Sequence, residues 1–311
     1  MYVSAMVTSI ATMACMLMIG ASLRSKITFD QSARNLLSTL IVNVAVPSLI
    51  VVSFQQLPHD ENLYGRLLTI FLISLGLYLT SLVLVWWISR LSGMETKQSG
   101  QTAVLASHAN TGFIGIPLCY TLFGNEGVVL ATAFDMATGI CLWTVSVMVL
   151  KHEYSLRLRT LKPLLNMPLF AIVVGLIFFI SHVNLPTAVL TLLNKLGALT
   201  TPLALIYIGL FLPQLFQHWK KVSLRPLALA VTWKLITLPL LTIGLLSFLS
   251  LDTASEHVVL LLSTMSTGSM IPILFAQLKS NEELGAHATV LTTMLSLITI
   301  PVLFSFGIWI L

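Results

Sequence analysis

The residues of this chain best suited to chemistry fall in two short runs, and the chemistry they suit is the holding of an anion. The first reads His108-Ala-Asn-Thr-Gly-Phe-Ile-Gly-Ile-Pro117 and the second Ser263-Thr-Met-Ser-Thr-Gly-Ser-Met-Ile-Pro272. Asn110 offers an amide that can donate to a carboxylate, and Thr111, Ser266 and Thr267 offer hydroxyls. Gly112 and Gly268 let the backbone leave helical geometry cheaply, while Pro117 and Pro272 lack the N–H that continues a helical ladder. A helix begun after such a break points its unpaired N–H groups and the positive end of its dipole into the gap. Two such ends facing one another favour an anion.

Three ionisable residues lie deep in the apolar sequence around these runs. Asp135 is about 13 Å into its segment from one side and Lys234 about 12 Å into its segment from the other, at about 1.5 Å per residue. At that depth an ionisable group costs roughly 2.5 to 3.5 kcal/mol on insertion scales, so each needs a partner or a task. A buried Asp135–Lys234 pair would neutralise both. Alternatively, Asp135 takes up a coupling proton or Lys234 faces the anion. His108 titrates in a range that suits proton coupling, although a neutral, hydrogen-bonded role also accounts for it. Asn43, four residues before Pro47, is expected to satisfy carbonyls freed by that proline. Cys15, Cys119 and Cys141 have no metal-like spacing and read as packing residues, so neither metal nor cofactor is expected.

These residues must be positioned by membrane helices. With 57% hydrophobic and 9% charged residues, the 311-residue chain departs far from the roughly 25% charge of a soluble domain. Its apolar stretches are helical in length, where outer-membrane strands would alternate over about ten residues. Ten segments fit: 3 to 22, 35 to 54, 66 to 90, 100 to 123, 127 to 150, 164 to 182, 187 to 213, 226 to 249, 257 to 278 and 286 to 310. No basic residue precedes the first, which argues against a secretory signal.

Thirteen of the sixteen basic residues fall in connections on one side, from Arg24, Lys26 and Arg34 through Lys151, Arg157, Arg159 and Lys162 to Lys220, Lys221, Arg225 and Lys279. The opposite connections hold Asp60, Glu61, Glu126, Asp252 and Glu256. The positive-inside rule then puts both termini outside a cell inner (plasma) membrane. The basic loop 151–162 reads as a topology determinant rather than a nucleic-acid site, and it separates residues 1–150 from residues 163–311.

Those halves are related. A shift of 155 residues carries Pro117 onto Pro272, Pro47 onto Pro202, Pro58 onto Pro213 and Gly20 onto Gly175. Each half has five segments, an odd number, so the second enters the membrane in the opposite sense. The expected fold is an all-α polytopic membrane protein, a 5+5 inverted repeat of ten transmembrane helices whose fourth and ninth are broken. Asn110 lies about 16 Å in from Gly100 and Thr267 about 15 Å in from His257, so both breaks reach the midplane. Paired Gly/Pro interruptions of this kind point to the substrate site of a secondary transporter, because unwound backbone survives there only where it lines a cavity.

The run from Asn110 to Pro117, the earlier Asn43-Val-Ala-Val-Pro47 and Thr200-Thr-Pro-Leu-Ala-Leu resemble the auxin efflux carrier family, which includes plant PIN-FORMED carriers and bacterial malate and malonate permeases. The resemblance implies a fold similar to bile acid:sodium symporters, with segments 1, 2, 6 and 7 as scaffold and 3 to 5 and 8 to 10 as transport domain. It implies that a substrate carboxylate binds where segments 4 and 9 cross, at Asn110 and Pro117 and at Thr267, Gly268 and Pro272. Ser266 and Thr267 stand where plant members place an asparagine.

The expected function is therefore secondary, elevator-type alternating-access transport of a mono- or dicarboxylate. Proton or sodium coupling and a homodimer are both left open. No G-x-x-x-x-G-K-[ST] run supplies ATP coupling. An anion channel and a non-transporting sensor or scaffold are the alternatives. An intramembrane aspartyl protease would need two carboxylates at depth, and only Asp135 qualifies, so no enzyme is expected.

Overall fold

The computed structural model describes residues 2–27, 29–58, 62–151, 165–210 and 223–311. All regular structure among these is helical. The helices are α1 Tyr2–Leu23, α2 Gln31–Leu40, α3 Val46–Gln56, α4 Leu63–Leu91, α5 Thr96–Ser107, α6 Ile116–Cys141, α7 Val147–Lys151, α8 Met167–Ser181, α9 Thr187–Gly197 and α10 Thr200–Gly209. They continue with α11 Leu224–Thr232, α12 Leu238–Leu246, α13 Thr253–Ser263, α14 Ile271–Gln277 and α15 Glu282–Ile310. Helix occupies every one of the ten apolar stretches. Six helical spans among the described residues are long and apolar enough to cross a bilayer: Ser32–Gln56, Leu63–Leu91, Thr111–Lys151, Thr187–Gly209, Leu224–Leu246 and Glu282–Ile310. Most of the basic loop 151–162, together with Asp60, Glu61, Lys220, Lys221 and Pro213, lies outside the described residues.

Prolines accompany three of the four π turns among the described residues; the fourth, Leu142–Ser146, has no proline near it. A π turn covers Ile41–Ala45, Thr111–Gly115 and Trp233–Thr237, and each ends two residues before a proline, Pro47, Pro117 and Pro239. A proline ring clashes with the carbonyl four residues earlier, which in all three cases lies inside the widened turn. The backbone itself therefore absorbs Pro47, and Asn43, expected to do so with its side chain, is exposed. The fourth and fifth segments are not separated by a loop. α6 runs through their junction, and only Gly124 (φ 64°) leaves helical geometry there.

The chain divides into two compact units, neither of which is a sequence half. The first comprises Met1–Leu68, Gly112–Ala133 and Leu165–Pro213, and the second Thr69–Thr111, Phe134–Leu164 and Gln214–Leu311. In the first unit, α1 packs on α10 and α3 on α8. Gly20 permits one close approach, since a side chain there would run into the Ile206 carbonyl and Gly209 Cα. Gly175 permits the other, against the Phe54 ring. The shift of 155 residues that carries Gly20 onto Gly175 also carries Phe54 onto Gly209, so the two contacts exchange halves. In the second unit, Tyr78, Leu82 and Val85 of α4 meet Ala103–Ala106 of α5, Trp233, and Ile271, Leu274 and Phe275 of α14. The Trp233 indole donates to Ser81 Oγ at 3.0 Å.

Candidate functional site

Within the second unit, α5 stops at His108, whose ψ of 123° turns the chain extended. α13 stops at Thr264, and Thr267 likewise leaves the helix. The two extended stretches cross antiparallel through a bridge between Ala109 and Thr267. The Asn110 N–H donates to the Ser266 carbonyl at 2.8 Å and the Gly268 N–H to the His108 carbonyl at 3.1 Å. A broken helix in an apolar medium must pair its freed backbone groups or lose several kcal/mol for each. Here the two breaks pair with each other, so the Gly268 N–H, expected among the free donors of its half-helix, is already engaged.

The side chains divide into struts and two nitrogens without a partner. The Thr267 hydroxyl donates to the Leu105 carbonyl at 3.1 Å, and the Thr267 N–H donates to Thr292 Oγ1 at 3.0 Å. Thr293 Oγ1 donates to Ser266 Oγ at 3.1 Å, and Thr289 Oγ1 reaches the Gly268 carbonyl at 3.4 Å. Gly268 leaves room for the imidazole of His108, because an added Cβ would collide with that ring. Asn110 is 3% exposed; its Oδ1 accepts from Ser269 Oγ at 3.3 Å, while its Nδ2 has no partner. His108 Nδ1 is likewise buried without a partner.

Asp135 and Lys234 do not form an ion pair. The Thr111 hydroxyl donates to Asp135 Oδ1 instead, and Lys234 Nζ is buried without a hydrogen bond. The structure thus brings together Asn110, Thr111, Ser266, Thr267, Gly268, Asp135 and His108 in the second unit, with Pro272 at the start of α14. Gly112 and Pro117 belong to the first unit, within the π turn and at the start of α6. There the Phe113 ring stacks on Tyr207 with centroids 5.8 Å apart.

Thr289, Thr292, Thr293 and Ser296 were not singled out from the sequence, and Ser269 was also missed. The four hydroxyl residues of α15 recur at spacings of three, one and three, which puts them on one helical face. All four are buried. Such a stripe in an otherwise apolar span is a signal that could have located the anchor of the second break.

Comparison with known proteins gives a consistent picture. The profile of a family described as membrane transport protein matches residues 5–155 and 148–304. An uncharacterized transporter of Methanothermobacter thermautotrophicus is 25% identical over 267 residues, covering 85% of this chain and 86% of that protein. An uncharacterized transporter of Methanocaldococcus jannaschii is 23% identical over 282 residues, covering 85% and 87%.

Proposed function

Since the chain belongs to the auxin efflux carrier-like family of membrane transport proteins, we propose that it carries a small organic anion, a mono- or dicarboxylate, whose carboxylate is held at the crossing of the two broken segments. It is a multi-pass membrane protein. The observation that carries the substrate class is Asn110 Nδ2, a buried donor with no acceptor in the break just before the span Thr111–Lys151. A carboxylate oxygen supplies that acceptor, and a hydrogen bond to a charged group contributes about 1.5 to 3 kcal/mol. Ser266, Thr267 and Gly268 hold the opposite stretch in place for it. Thr111 and Gly112 begin the π turn that follows Asn110, and Pro117 and Pro272 keep both segments from closing into continuous helix.

The transport mode we infer is alternating access of the elevator type in a 5+5 inverted repeat, with both termini outside the cell inner membrane. The exchanged contacts Gly20 with Gly209 and Gly175 with Phe54 support the repeat. A pseudo-two-fold relation between halves makes equivalent residues meet in this reciprocal way. It also supplies two related closures of one central site.

A proteoliposome uptake screen with labelled carboxylates, under imposed proton, sodium and voltage gradients, tests the proposal. Saturable uptake that falls in Asn110→Ala is the expected result. Uptake of no carboxylate by well-inserted wild-type protein, or unchanged affinity in Asn110→Ala, overturns it.

A further inference from the structure

Lys234 lies in the π turn Trp233–Thr237 with 0% exposure, and its Nζ has no hydrogen-bond partner. It lines a cavity of about 10 Å³, room for about one water. Ser74, Tyr78, Ser107, Thr138 and Ser263 are among its lining residues, although its surface is almost wholly apolar. Four of these hydroxyls have their protons engaged. Ser74 donates to the Phe134 carbonyl at 3.0 Å, Ser107 to Ala103 at 2.6 Å, Thr138 to Asp135 at 2.9 Å and Ser263 to Leu260 at 2.7 Å. Each has only lone pairs left to offer the cavity. None of these hydroxyls reaches Nζ, so the amine stands buried and unpartnered beside room for about one water.

No carboxylate among the described residues neutralises this lysine. The π turn packs against α5, α11, α12 and α15. Their charged or titratable groups are Lys97 and the capping His108 on α5, Arg225 on α11, and Glu282, Glu283 and His287 on the first turns of α15. α12 contributes none. On the cavity wall, the Tyr78 hydroxyl is bonded to Ser146, and the Asp135 carboxyl, outside that wall, takes the Thr111 hydroxyl.

We propose that Lys234 carries the coupling proton of the transport cycle, a step that rests on the carrier function inferred above. The neutral amine accepts a proton from water on one side, forming a new N–H bond and an ammonium as the anion arrives at Asn110. After the site opens to the other side that bond breaks and the proton passes to water, leaving the amine neutral again. Anion and proton cross together, so the complex moves through the bilayer with one charge fewer than the anion alone.

The test uses the full chain in proteoliposomes, voltage clamped at zero, with radiolabelled malonate and malate as probes. Wild type is expected to accumulate probe about tenfold per unit of imposed pH gradient. Flux through Lys234→Met, which holds no proton, and through Lys234→Arg, which never releases one, is expected to ignore that gradient. Wild-type accumulation indifferent to the pH gradient, or a Lys234→Met protein that still follows it, overturns the proposal. Uptake of neither probe by wild type counts against the carboxylate reading and not against Lys234. In that case, or where Lys234→Met carries no flux, thermal unfolding in detergent across about pH 5 to 9 decides. A pH-dependent step in Tm that Lys234→Met removes supports proton binding at this residue, and identical profiles overturn it.

Discussion

The N–H of Asn110 donates to the carbonyl of Ser266 at 2.8 Å, so the amide-bearing residue of one broken segment is held by the backbone of the other. This bond does not depend on the side chain at position 110. The position of the residue and the chemistry of its amide can therefore be separated by mutation.

Asn110→Ala keeps the backbone bond and removes Nδ2. We expect affinity for the carried carboxylate to fall by about 1.5 to 3 kcal/mol, as for a lost hydrogen bond to a charged group, with membrane insertion intact. Equilibrium binding to purified protein, compared with Tm in the same detergent, measures the two separately. A fall in Tm without loss of affinity would assign Asn110 to structure.

Thr292 and Thr267 act differently. Thr292→Val leaves the Thr267 N–H buried without an acceptor, which costs about 1 to 3 kcal/mol. Thr267→Val removes one donor to the Leu105 carbonyl, a group with other lone-pair capacity, and is expected to cost less. Denaturation in detergent should rank Thr292→Val below Thr267→Val in stability. The reverse order would mean that the α15 hydroxyl does not anchor the second break.

Gly268→Ala sets a methyl against the His108 ring at the point where the two stretches cross. Overpacking of this kind costs typically about 1 to 3 kcal/mol. Gly124→Ala, by contrast, meets no atom and suffers only from its backbone, φ 64° with ψ −149°, a strain of about 1 to 3 kcal/mol. Combining Gly268→Ala with His108→Ala should recover part of the loss while Gly124→Ala combined with His108→Ala should not, and Tm of the four proteins checks it.

Much of this fold could be read from sequence because bilayer length and apolar content leave helix as the only economical answer. The breaks near Asn110 and Thr267 were visible for the same kind of reason, since glycine and proline act locally. What the sequence did not reveal was where freed groups would go. Asn110, Thr111, Asp135 and Lys234 were placed at similar depths, but depth along a helix fixes neither azimuth nor partner. Asp135 therefore took the hydroxyl of Thr111, 24 residues earlier in the chain, and left Lys234 alone. The π turns were hidden for a related reason. A proline announces a disturbance, but whether the ladder opens, as before Pro272, or widens, as before Pro239, depends on what the neighbouring helix offers.

The orientation argued from charge makes a direct prediction for Lys151 and Asp252. In a protein with Cys15, Cys119 and Cys141 replaced, cysteines introduced at these two positions should lie inside and outside respectively. A membrane-impermeant thiol reagent added to intact cells should label position 252 and reach position 151 only after lysis. Equal labelling of both in intact cells would overturn the orientation and the inverted repeat with it.

Gly20 and Gly175 lie 155 residues apart and each permits a close helix contact, yet their neighbours differ in hardness. Gly20 faces the Ile206 carbonyl and the Gly209 Cα, backbone that α10 cannot withdraw without breaking its own ladder. Gly175 faces the ring of Phe54, a side chain with rotamers to choose among. Gly20→Ala should therefore separate α1 from α10 and lower stability by the upper part of the roughly 1 to 3 kcal/mol range for overpacking, and Gly175→Ala by the lower part. Reducing Phe54 to alanine costs about 3 to 5 kcal/mol where its pocket stays empty, but a methyl at position 175 would fill part of that space. Phe54→Ala with Gly175→Ala should then be more stable than the sum of the single changes by about 0.5 to 3 kcal/mol, as for residues in contact. Simple additivity in thermal denaturation would show that Gly175 is not the residue that fits α8 against Phe54.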